Sequence, residues 1–115
     1  MYRKRIASSI SASLTSTMRS TRSRTIAGGL DTPFTGRNAL AACRAAGVEV
    51  VTVPDEAIVE AMRRLYADAK LACEPAGAAA VAAVLTGLVD GDSIAAVVSG
   101  GNVGADIASD ILAGR

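Results

Sequence analysis

Ala96-Val97-Val98-Ser99-Gly100-Gly101-Asn102-Val103-Gly104 is the stretch on which the fold turns. An apolar run stops at a serine and two glycines, and helix-forming sequence follows. Such a strand end leaves backbone amides free, and glycine, lacking a Cβ, lets a ligand come close. Open α/β sheets take their ligands at the carboxyl ends of strands. Ser99 is therefore expected to point its hydroxyl into an opening.

Working outward, the run 93–98 reads as a strand, set off from the preceding segment by Gly87 and the acidic turn Asp90-Gly91-Asp92. Residues 77–85 read as a buried helix of Ala, Val and Leu that restarts the chain after Glu74-Pro75. Before it lies the clearest periodicity: Ile58, Met62, Leu65, Ala69 and Ala72 make one apolar stripe. That helix opens at Pro54-Asp55-Glu56, where proline suits the first turn and the acids oppose the positive end of the dipole. Glu60, Arg63, Arg64 and Asp68 fall on its other faces and are expected in solvent. The β-branched run 48–53 is a strand. An alanine-rich helix over 36–46 ends at Gly47, and Gly28-Gly29 with Asp31-Thr32-Pro33 marks a loop. After Asn102 a final helix is expected to place Ile107, Ile111 and Leu112 on one side. The order helix, strand, helix, helix, strand, helix gives an α/β fold, a partial parallel or mixed sheet with covering helices. Two strands seldom make a self-sufficient sheet, so a larger domain is implied.

Composition narrows the chemistry. The chain has 115 residues, enough for one domain, and half of them are hydrophobic. Most of that half is alanine and valine, with one Phe, two Tyr and no Trp, so each buried side chain removes little area from water. Histidine is absent, which removes the commonest general base and the commonest metal ligand; no metal site is expected. Cys43 and Cys73 read as buried thiols in a reducing compartment, and the cytoplasm is the expected location. No run reaches the roughly 18 apolar residues of a membrane span, and 77–89 is the nearest candidate.

Residues 1–24 differ from the rest: basic, rich in Ser and Thr, and free of acids. Three readings stay open, a transit peptide, an unstructured leader or out-of-frame sequence joined to a real domain, and a basic arm for nucleic acid. The second is the expectation, because the downstream pattern starts abruptly; the third lacks aromatic residues for base stacking. The domain is then 25–115. Its acidic balance argues against nucleic acid as a partner.

Four segments in order carry a resemblance: Thr25-Ile26-Ala27-Gly28-Gly29-Leu30, Val51-Thr52-Val53-Pro54-Asp55-Glu56-Ala57-Ile58, Leu71-Ala72-Cys73-Glu74-Pro75-Ala76-Gly77-Ala78-Ala79 and Val98-Ser99-Gly100-Gly101-Asn102. Over residues 25–112 the chain resembles the C-terminal portion of the pyridoxal-phosphate-dependent threonine/serine dehydratases, a group that includes serine racemase. The resemblance implies a piece of the fold-type II, tryptophan synthase β-like fold and pyridoxal 5'-phosphate as cofactor. The parent activity is that of an ammonia-lyase, converting L-threonine or L-serine to a 2-oxo acid and ammonia.

By position, the resemblance gives Ser99 the hydrogen bond to the cofactor's pyridine nitrogen, and a neutral hydroxyl there makes a weaker electron sink than a carboxylate would. The alternative is a serine that caps the following turn. Glu74 matches a glutamate beside the cofactor ring; a helix-start carboxylate favoured by the dipole is the level alternative. Gly100, Gly101 and Asn102 shape the turn beneath the ring, and Gly77 serves helix packing. Two departures stand out: Gly28 replaces the usual aspartate, and Pro54 replaces a serine cap. The Schiff-base lysine and the glycine-rich phosphate loop of the family have no counterpart here, since Lys4 and Lys70 are the two lysines. No residue is therefore assigned as catalytic, and the chain is expected to be a truncated, inactive piece, a homo-oligomer or completed by another chain. Two rivals remain: a non-catalytic oligomerisation or regulatory fragment that docks on a full-length relative, and a small anion-binding α/β domain using the Ser99-Gly100-Gly101 turn.

Overall fold

In chain order the elements of the computed structural model are β1 (Arg5–Ala7), a 3-10 turn (Gly28–Leu30), α1 (Arg37–Ala45), β2 (Glu49–Val51), α2 (Asp55–Ala69), α3 (Pro75–Leu85) and α4 (Ala105–Ala113). The residues described are 5–7, 25–32 and 34–114. β1 and β2 form a two-stranded parallel sheet with Ile6 opposite Val50. β1 falls within the segment that the sequence sets apart as a leader; the disorder expected of the other residues up to 24 lies outside the described residues.

The ends of the helices follow local chemistry. α1 closes in a Schellman motif: Gly47, at φ +62°, donates to Arg44 O at 3.1 Å, and Val48 donates to Cys43 O at 2.9 Å. α3 closes the same way, Gly87 at φ +71° donating to Val84 O and Leu88 to Ala83 O, both at 3.0 Å. Thr86 Oγ1 adds a bond to Ala82 O at 2.8 Å. α3 begins with Pro75 at its first position, where a missing N–H costs nothing.

The core is where α2 and α3 pack together, with α4 against α2. Ile58, Ala61, Met62 and Leu65 of α2 meet Ala78, Ala79, Ala82 and Ala83 of α3, joined by Ala27, Val53, Cys73 and Ile111. Alanines supply half of this core, so the helices approach closely but bury little area per residue. Ile58 is the large side chain that is fully buried.

Four expectations are corrected. The apolar stripe of α2 stops at Leu65, because Lys70 adopts a left-handed φ of +58° and ends the helix; Ala69 and Ala72 are exposed. On α4 only Ile111 is buried, while Ile107 and Leu112 are 52% and 39% exposed. Arg63 is not simply solvated: its Nε donates to Ile111 O at 2.7 Å, pinning α4 to α2. Residues 93–98 form no strand, since a ladder needs a partner edge and no described strand lies beside them. The described chain is accordingly mostly helical, and its sheet smaller than the α/β reading implies.

Candidate functional site

Three of the four resemblance segments meet around one half-open cleft of about 210 Å³. Ile26, Gly28 and Gly29 form one wall, Glu74, Pro75 and Ala76 a second, and Asn102, Val103, Gly104 and Ile107 a third. Small-molecule sites commonly enclose about 300–1,000 Å³, so the cleft is smaller than a typical one.

The first wall is held by a clamp that the sequence does not announce. Asp55, the first residue of α2, accepts from Thr25 Oγ1 at 2.5 Å and from the Ile26 N–H at 3.0 Å. Thr25 Oγ1 in turn accepts from the Ala27 N–H at 3.1 Å. The sequence marks Asp55 only as a dipole-compensating acid, because its partners lie about thirty residues upstream. Pro54 caps α2 without any side-chain bond, since a proline side chain has no polar atom to give one. A Cβ at Gly28 would meet nothing within 4 Å, so the structure leaves open space at this position.

The second and third walls are joined through their backbones. Glu74 stands at the N-cap of α3, half-buried, and its N–H donates to Gly100 O at 3.3 Å. Its carboxylate makes no capping bond, so the dipole alternative is left as a charge at the helix start and nothing more. Gly100 has φ +71°, and a Cβ there would collide with Glu74 Oε1. At Gly77 a Cβ would collide with the Ser99 carbonyl oxygen and lie 2.9 Å from its carbon and 3.0 Å from Gly100 O. Beside Glu74, Cys73 is buried, and burial first and the Glu74 charge second push its thiol above the ordinary 9.0.

Of the five candidate residues, Glu74 and Asn102 line the cleft and Gly100 packs on Glu74. Ser99 and Gly101 are exposed and outside its lining. Lys70 is exposed, donates to Ala67 O at 2.7 Å and does not line the cleft; Lys4 lies outside the described residues. Among the described residues no cluster of His, Cys, Asp or Glu could hold a metal ion, and no helix is long and apolar enough to cross a membrane. Both cysteines are free, Cys43 half-buried rather than buried.

Residues 5–100 match the pyridoxal-phosphate dependent enzyme family. The catabolic L-threonine dehydratase of Staphylococcus aureus strain N315 is 38% identical over 84 residues, 69% of this chain and 24% of that protein. The L-threonine ammonia-lyase of Thermotoga maritima is 43% identical over 65 residues, 56% of this chain and 16% of its own length. The crystal structure of a threonine deaminase from T.th. superposes with a TM-score of 0.68 at 35% identity, over 73% of this chain and 31% of that one. The chain thus spans about a quarter of the first of these relatives.

Proposed function

The chain belongs to the pyridoxal-phosphate dependent enzyme family, and from that premise we propose that it forms the ring-side floor of a cofactor site in a threonine or serine ammonia-lyase. The observation that carries this reading is the meeting of Ile26, Gly28 and Gly29, Glu74 and Asn102 around one open cleft, with Gly100 tied to Glu74 beside it. The groups on hand fit one side of such a cofactor. Glu74 offers a half-buried carboxylate and Gly28 open space, and Ser99, exposed beside the cleft rather than in its lining, carries the neutral hydroxyl that the resemblance gives to the ring nitrogen. Among the described residues no amine lines the cleft, which supports a reading in which the grip on the aldehyde belongs to other sequence. When bound, pyridoxal phosphate withdraws electrons from the amino acid's α-carbon. The residues here orient the ring, set the polarity at its nitrogen and shield one face from water.

The exposure of Val97 at 74% and Phe34 at 71% supports a further part of the reading: another polypeptide surface, from a second copy or another chain, covers these apolar side chains.

The test is direct. The 115-residue chain is incubated with pyridoxal phosphate, reduced with borohydride and digested, and separately given L-threonine. No single lysine should carry the label and no 2-oxobutanoate should form. Specific labelling of Lys70 or Lys4, or measurable turnover, overturns the division of labour.

A further inference from the structure

The geometry points to Gly77 as a positioning residue that sets the height of the Ser99–Gly100 turn; its consequence for the cofactor rests on the function proposed above. Gly77 sits in the first turn of α3, three residues after Glu74. It is buried, and the atom it faces is not a side chain that can swing away but the Ser99 carbonyl oxygen. Any Cβ at this position collides with that oxygen, and the Ser99 carbon and Gly100 O at 2.9 and 3.0 Å close the remaining routes of relief. Backbone therefore rests on backbone. The same helix start also holds the turn by a hydrogen bond, the Glu74 N–H donating to Gly100 O at 3.3 Å.

The turn is thus fixed twice by a single helical turn, once by a hydrogen bond and once by a steric floor. A methyl group at residue 77 must lift residues 99–100 or shift the start of α3, carrying the Ser99 hydroxyl with it. Ala76 and Ala78 tolerate their methyl groups, and Ala78 is fully buried, so a small residue alone is not the requirement. The requirement is the absence of Cβ where two backbones meet.

The experiment uses the full 115-residue chain, with amide resonances assigned and 4'-deoxypyridoxine 5'-phosphate as a probe that needs no lysine. Gly77→Ala should move the resonances of residues 99–102 in the free protein and weaken probe binding at least tenfold. Ala80→Gly is the control for helix stability: it should lower the melting temperature while leaving those resonances and the probe affinity in place. If Gly77→Ala does not fold, the wild-type chain reads the contact instead: nuclear Overhauser effects between the Gly77 Hα protons and residues 99–101 should be present, and their absence overturns the assignment. Resonances at 99–102 that stay put in the folded variant overturn the assignment. A wild-type chain that ignores the probe, with Gly77→Ala still displacing the turn, overturns the cofactor reading alone.

Discussion

Cys73 and Glu74 are chain neighbours in opposed settings, one thiol sealed in the alanine core and one carboxylate at the mouth of the cleft. Burial, with the Glu74 charge adding to it, raises the Cys73 thiol above 9.0. The folded chain therefore keeps a proton that the unfolded chain releases as pH climbs past that value. The associated stability is whole below the unfolded pKa and is lost as pH rises through the folded one. The urea midpoint should fall on going from about pH 8 to about pH 10, and the fall should be shallower in Cys73→Ala. Equal slopes in the two proteins would place the effect elsewhere. The same burial orders the reactivity of the thiols: a mild alkylating agent at neutral pH should modify half-buried Cys43 before Cys73, as peptide mapping would read.

At the scale of elements, the alanine content of α3 makes Ile58 of α2 the main apolar anchor between them. Ile58→Ala should cost about 3 kcal/mol, against about 1 kcal/mol for Arg63→Met, which removes only the bond to Ile111 O. Denaturant unfolding separates the two; similar losses would mean that the α2–α4 tie matters as much as the core. Legibility follows the range of each interaction. The ends of α1 and α3 are plain in the sequence because Gly47, Pro75 and Gly87 act within a few residues of themselves. The end of α2 is not, because the apolar spacing continues through Ala69 and Ala72 while Lys70 takes a left-handed backbone that favours glycine. The strand expected at 93–98 is absent because β-branched composition reports suitability for a ladder, and a ladder also needs a neighbour. For the site, Glu74 and Asn102 are legible from a motif, whereas the Asp55 clamp joins residues too far apart in sequence to leave a pattern.

For the whole molecule, the distribution of apolar surface decides behaviour in solution. Ile94 and Val97 are 42% and 74% exposed on an irregular segment that belongs to no described strand. Such a segment offers apolar side chains to another chain. The protein should consequently associate as its concentration rises, and Val97→Lys should suppress that association by placing a charge on the segment. Because Val97 contributes little to the core, the same change should alter unfolding free energy by no more than about 0.5 kcal/mol. Sedimentation across a concentration series, paired with thermal melts, reads both quantities. A variant that still associates moves the sticky surface to another exposed apolar side chain, Phe34 or Ile107 among them. A variant that melts well below the parent shows instead that residues 93–98 are packed by a strand when the protein is free in solution.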